Sequence, residues 1–117
     1  MACLDRRRFR RVPFLCTVLV QPSYSDFLVE AKTINISQVG VLLTCCTPLP
    51  EAHPIMLRFL FNLPSGETVL EGPVAGSIAR LRLDDDVAFL GVNFDCTLKR
   101  STTPNLMDVI ARLLTQG

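Results

Sequence analysis

The residues of this sequence that could do chemistry gather in two short stretches. The first is Asp5-Arg6-Arg7-Arg8-Phe9-Arg10-Arg11, with five arginines in six positions. A guanidinium is a planar, permanently charged fork of N–H donors that matches phosphate oxygens and the O6/N7 edge of guanine. Arg7 and Arg11 stand four residues apart, up to ~14 Å in an extended chain, and in a bend they converge on one ligand. The second stretch is Asn35-Ile36-Ser37-Gln38-Val39-Gly40. Asn35 offers two donors and an acceptor, and Ser37 a hydroxyl that both donates and accepts. Gly40, without a side chain, would let a flat ring approach the backbone. Each stretch also has an ordinary reading. A basic run is commonly a solvated tail, and Asn, Ser and Gly are turn residues. Acting together, they would form two jaws of one anion-binding site.

The charge distribution supports that pairing. The chain carries 12 basic and 11 acidic side chains, net +1. Residues 1–11 hold five arginines and one aspartate, net +4, so the remainder is net −3. The positive field is therefore local, and the pI is near 7.6. A protein that coats a long polyanion spreads basic charge over a face and has a high pI. Concentrated arginine suits a small, highly charged ligand better.

Little else points to chemistry, and no enzyme is expected. His53 is the one histidine, in a proline-flanked loop with no partner at metal-ligand spacing. Asp84-Asp85-Asp86 lacks the spacing of a calcium loop and reads as a turn. No Ser/His/Asp triad can be built, and no phosphate-binding glycine loop is present. The five cysteines follow neither a disulfide framework nor a metal site. Neighbouring Cys45 and Cys46 would bridge only with strain. Buried, reduced thiols in a cytoplasmic protein are the expectation, with no metal and no cofactor.

The elements that must position the two stretches are strands. The 117 residues, 49% of them hydrophobic, suit one domain with a real core. No apolar run reaches the ~18 residues that cross a bilayer, so no membrane insertion is expected. Val12 to Val20 is too rich in β-branched residues, with too early a proline, to be a signal peptide. Strands are predicted at Phe14–Gln21, Phe27–Ile34, Val39–Leu43, Ile55–Leu63, Thr68–Leu83 and Val87–Phe94. The fifth should kink near Gly72-Pro73 or Gly76. In the second, Val29, Ala31 and Thr33 face one way and Leu28, Glu30, Lys32 and Ile34 the other. Turns fall at Pro22–Asp26, Pro64–Glu67 and Asp84–Asp86, and a loop at Thr47–Pro54. This spacing suggests a closed or nearly closed antiparallel barrel. Thr103-Pro104 then caps a helix whose Leu106, Val109, Ile110, Leu113 and Leu114 form one apolar stripe.

Together, the two stretches resemble the signatures of the PilZ domain family, bacterial receptors for cyclic di-GMP. Those signatures are Arg-x-x-x-Arg near the N-terminus and Asp/Asn-x-Ser-x-x-Gly about two dozen residues later. Here they read Arg7-Arg8-Phe9-Arg10-Arg11 and Asn35-Ile36-Ser37-Gln38-Val39-Gly40. Leu90-Gly91-Val92-Asn93-Phe94 is similar to the family's hydrophobic-Gly-x-x-Phe strand. The resemblance implies a mainly β fold, a six-stranded antiparallel barrel with a C-terminal helix and a flexible basic arm. The corresponding parts are an arm at 1–12, a barrel at 13–101 and a helix at 102–117, within one PilZ domain at 5–117. It also implies roles. Arg7 and Arg11 clamp guanine edges and phosphates. Asn35 and Ser37 hydrogen-bond a guanine and a nearby phosphate, and Gly40 keeps the loop tight. Arg6 occupies the position associated with an intercalated ligand dimer, and Arg8 adds a phosphate contact. The chain has no Trp, and Ile78 lies where some members offer an aromatic. Base stacking would then fall to arginine planes.

The expected mechanism is ordering of the arm against the Asn35–Gly40 loop by cyclic di-GMP, bound singly or as an intercalated dimer. The altered surface would then be read by a separate downstream protein. Two other readings stay open. A small barrel with a basic arm could bind single-stranded nucleic acid, although the barrel is net acidic and poor in stacking aromatics. A member that binds no nucleotide could serve as a protein-interaction module, although its arginines would then have no evident purpose.

Overall fold

The structure, a computed structural model, describes residues 10–116. Seven strands precede one helix: β1 (Val12–Pro13), β2 (Thr17–Pro22), β3 (Val29–Ile36), β4 (Gly40–Cys45), β5 (Pro54–Asn62), β6 (Thr68–Asp84), β7 (Val87–Phe94) and α1 (Pro104–Gln116). All pair antiparallel, in the order β1-β3-β2-β5-β6-β7-β4. A further β3–β4 pairing joins the ends. The six longer strands thus close into a barrel, as the strand spacing predicts, and no long edge remains exposed.

The pleat explains the pairing. Val29, Ala31 and Thr33 point into the core while Glu30, Lys32 and Ile34 face out, as their alternation predicts. The same holds along β5, where Leu57, Phe59 and Phe61 are buried. The core is aliphatic with a few aromatics, and Phe59 meets Phe94 edge to face, 6.4 Å between centroids. Residues 87–94 form a strand with the predicted bounds.

Several boundaries differ from the sequence-based expectation: the second strand, predicted at Phe27–Ile34, runs from Val29 to Ile36 and so takes in Asn35, and the third, predicted at Val39–Leu43, runs from Gly40 to Cys45. The first strand is predicted to run unbroken from Phe14 but is split, with β1 ahead of it and Phe14–Cys16 between. The Thr33 hydroxyl causes the break. It accepts the Cys16 N–H (2.7 Å) and donates to the Phe14 carbonyl, replacing ladder bonds and leaving Leu15 78% exposed. Pro22, assigned to a turn, ends β2 opposite Ile55, a strand end where its missing N–H costs no ladder bond. Pro54 likewise opens β5. The long strand β6 does bend at the predicted place: the β5–β6 register shifts between Leu57 and Phe59, beside Gly72 (φ 138).

The stripe on α1 buries Leu106, Val109 and Ile110, with Leu113 and Leu114 half-buried. The cap differs from prediction. The Thr103 hydroxyl donates to the Lys99 carbonyl (3.0 Å) instead of accepting from the helix. The first-turn N–H groups go to Glu71 of β6: Asn105 N–H at 3.1 Å and Leu106 N–H at 2.7 Å, with the Asn105 side-chain amide at 3.0 Å. The first turn of α1 holds no acidic residue of its own. Glu71, only 8% exposed, supplies the negative charge that a helix N-terminus attracts. The helix is thereby clasped to the barrel wall.

Candidate functional site

Register brings the second motif together with residues remote in sequence. Asn35 lies opposite Leu42, Leu42 opposite Gly91, and Gly91 opposite Arg80. Directly opposed residues share a sheet face, so these four form one row across β3, β4, β7 and β6 on the outside of the barrel. At ~4.8 Å per strand the row spans at most roughly 14 Å. The neighbouring row carries Lys32, Thr44, Phe89 and Arg82. On the other side Gly40 opposes Asn93.

Along these rows runs a groove of about 490 Å³, lined by Arg11, Arg80, Arg82, Phe89, Gly91 and Asn93 among others. Among the described residues, three guanidinium groups and no carboxylate line it. Among the described residues, none of the three forms an ion pair; the pairs found there are Lys32 with Glu30 and Arg100 with Asp108. The Arg82 guanidinium sits over the Phe89 ring, 4.6 Å from its centroid.

The loop between β3 and β4 is held from several sides. The Ser37 N–H donates to the Gly40 carbonyl (2.9 Å), and the Val39 N–H to Ser37 Oγ (3.2 Å). The Val39 carbonyl accepts from Phe94 N–H (2.9 Å) and the Gln38 carbonyl from Leu98 N–H (2.8 Å). The Gln38 amide reaches the Met107 sulfur of α1 at 3.6 Å. Ser37 is 2% exposed. Asn35 Oδ1 is buried and has no hydrogen-bond partner among the described residues. Buried acceptors are rarely left so, and this one lies one strand from the arginine-lined groove.

The predicted site residues are placed as follows. Asn35 lies near the end of β3, Ser37 in the turn that follows and Gly40 at the start of β4, and Arg11, just ahead of β1, lines the groove. Arg6, Arg7 and Arg8 lie outside the described residues. The expectation that Gly40 leaves room for a flat ring is not met on its Cβ side. A Cβ there would lie 2.5 Å from the Val92 carbonyl oxygen, so that space is filled by β7 and the glycine serves close strand packing. Ile78, expected near a ligand base, is 1% exposed and turned into the core. The sequence reasoning missed Arg80, Arg82, Phe89 and Asn93. The Arg-x-Arg spacing puts two cations on one strand face, but only the β6–β7 register aims them at the motif loop.

The buried thiols of Cys16 and Cys45 lie away from the groove. The Cys16 thiol is pushed from 9.0 up to about 11 by burial, and burial also raises Cys45. Both stay protonated near neutral pH and are poor nucleophiles. No cluster of His, Cys, Asp and Glu able to hold a metal occurs among the described residues. No helix among them is long and apolar enough to cross a membrane.

Comparison with known proteins agrees with this fold. Among solved structures, the chain is similar to the inhibitor of motility MotI/DgrA of Bacillus subtilis (TM-score 0.72, 14% identity, 96% of this chain), spanning 53% of that protein's length. It is similar to the PilZ domain of YcgR from Escherichia coli, solved with c-di-GMP (TM-score 0.64, 13% identity, 96% of this chain and 94% of that one). It is also similar to the PilZ domain of CeSA from a cellulose-synthesizing bacterium (TM-score 0.56, 16% identity, 90% and 98%). No curated protein sequence matches it. A family model for the PilZ domain matches residues 5–115. With both signatures, the closed barrel and that match in hand, the chain belongs to the PilZ domain family, whose members are receptors and adaptors for cyclic di-GMP.

Proposed function

We propose that this chain is a non-enzymatic cyclic di-GMP receptor that draws its N-terminal arginines against the Asn35–Gly40 loop and signals through a partner protein. The observation that carries this reading is the buried Asn35 Oδ1, without a partner among the described residues, beside a groove lined by Arg11, Arg80 and Arg82. A guanine presents acceptors at O6 and N7 and a donor amine at N2. Arginines complement the acceptors and the phosphates, and an unpartnered carbonyl oxygen complements the donor. A plain phosphate would use only the arginines. Arg7 and Arg11 are assigned to guanine edges and phosphates, Asn35 and Ser37 to a guanine and an adjacent phosphate, and Arg6 and Arg8 to further phosphate contacts or a second ligand copy. The exposed thiols of Cys46 and Cys96 suit a reducing compartment, in keeping with a cytoplasmic receptor.

Calorimetric titration tests the proposal. Arg11→Ala and Ser37→Ala should each weaken cyclic di-GMP binding at least about tenfold, ~1.4 kcal/mol. Cyclic di-AMP should bind far more weakly than cyclic di-GMP. A flat titration of the unmodified protein would overturn the reading. Strongly salt-dependent binding of any single strand, without guanine preference, would instead make the groove a nucleic-acid site.

A further inference from the structure

The arginine groove extends beyond the two signature motifs. Arg82 and Phe89 face each other across the β6–β7 pair, two strands from the motif loop that ends at Gly40. The central guanidinium carbon of Arg82 sits over the Phe89 ring, 4.6 Å from its centroid, while Arg82 remains exposed and lines the groove. An arginine fixed this way loses less freedom when a ligand arrives, and its side away from the ring is available to stack on a base. Next to it the row is bare. A Cβ on Gly91 would meet nothing closer than Arg80 Cβ at 3.5 Å, so the absence of a side chain leaves an open floor between Leu42 and Arg80. Arg80 borders that floor with a second charge.

We propose that Arg82, backed by Phe89, is a stacking platform for a purine base of the bound dinucleotide, with Arg80 taking a phosphate across the Gly91 floor. This platform supplies the planar surface that buried Ile78 does not. The inference rests on the cyclic di-GMP reading and adds to it a residue set outside both motifs. It also divides the labour within the groove. The motif loop reads guanine edges at one end, and the β6–β7 pair holds a base by its face at the other.

The test uses the full chain and cyclic di-GMP, comparing the unmodified protein with Arg82→Ala, Arg82→Lys, Phe89→Leu and Ser37→Ala by calorimetry. Circular dichroism checks that each variant is folded. Arg82→Ala and Arg82→Lys should both lose about tenfold or more in affinity, because lysine keeps the charge and loses the plane. Phe89→Leu, which keeps apolar bulk, should lose severalfold. On ligand addition, the Arg82 Nε–H resonance should shift upfield as a base covers it. Unchanged affinity in Arg82→Ala, with Ser37→Ala impaired, would overturn the platform and leave the receptor reading standing. Full affinity in Arg82→Lys would reduce Arg82 to a point charge and likewise overturn stacking. Failure of the unmodified protein to bind would overturn the receptor reading, and the platform with it.

Discussion

Two glycines in the same pair of strands make opposite demands at the residue scale. At Gly40 an added methyl would sit 2.5 Å from the Val92 carbonyl oxygen, which is backbone and cannot swing away. At Gly91 the nearest neighbour is 3.5 Å off, an ordinary contact. Gly40→Ala should therefore destabilise the barrel by about 1–3 kcal/mol, the usual cost of overpacking. Gly91→Ala should fold with nearly unchanged stability. Urea unfolding of both variants checks this, and equal midpoints would mean that the β4–β7 contact is looser than described. The comparison also separates packing from recognition. Gly91→Leu should retain the fold, with its side chain projecting into the groove, and weaken cyclic di-GMP binding. The sequence reading gave Gly40 a ligand-side role because a glycine's missing side chain says nothing about what occupies the vacated space. That depends on a strand some fifty positions away, and no local pattern encodes it.

The helix and β6 meet in a clasp that decides how α1 sits. The carboxylate of Glu71 satisfies two backbone N–H groups of the first turn and the Asn105 amide. Removing it leaves buried donors unpaired, at roughly 1–3 kcal/mol for each polar group stranded. Glu71→Ala should thus lower stability by about 2–3 kcal/mol and speed amide exchange at Asn105 and Leu106. Glu71→Gln keeps one acceptor oxygen and should cost about half as much. If Glu71→Ala matched the parent in both measurements, the helix would owe its position to the apolar stripe alone. The stripe itself was legible, because Leu106, Val109 and Ile110 recur with helical period, and so were six strands, because their alternation and turns are local. The clasp was not. Thr103-Pro104 has the composition of a cap, and nothing local announces that a carboxylate from another strand takes the capping role. The break at Phe14–Cys16 was hidden for the same reason, since the hydroxyl that causes it belongs to Thr33.

Across the whole molecule, the candidate site exists only when the barrel is closed. Its residues come from β3 (Asn35), β4 (Gly40, Leu42), β6 (Arg80, Arg82) and β7 (Phe89, Gly91, Asn93), with Arg11 beside β1. The motif halves were legible because their spacing is short and their side chains distinctive. The β6–β7 half was illegible because one sequence does not state which strands pair. The same dependence on closure fixes how a ligand must act on stability. An unfolded chain scatters these groups over some eighty positions and offers the dinucleotide no site, so binding belongs to the native state alone. Such a ligand at 100 times its dissociation constant adds about 2.7 kcal/mol to unfolding. For a domain of this size, that should raise the melting midpoint by on the order of 10 °C. The rise should grow with the logarithm of ligand concentration, and Ser37→Ala should abolish most of it at the same concentration. A generic polyanion held only by mobile basic charge would also bind the unfolded chain, whose arginines are all still present, and would leave the midpoint nearly unmoved. Scanning calorimetry with cyclic di-GMP, and with a single-stranded oligonucleotide of equal charge, separates the two cases. A midpoint that rises equally with both ligands would count against a site assembled by the fold around guanine.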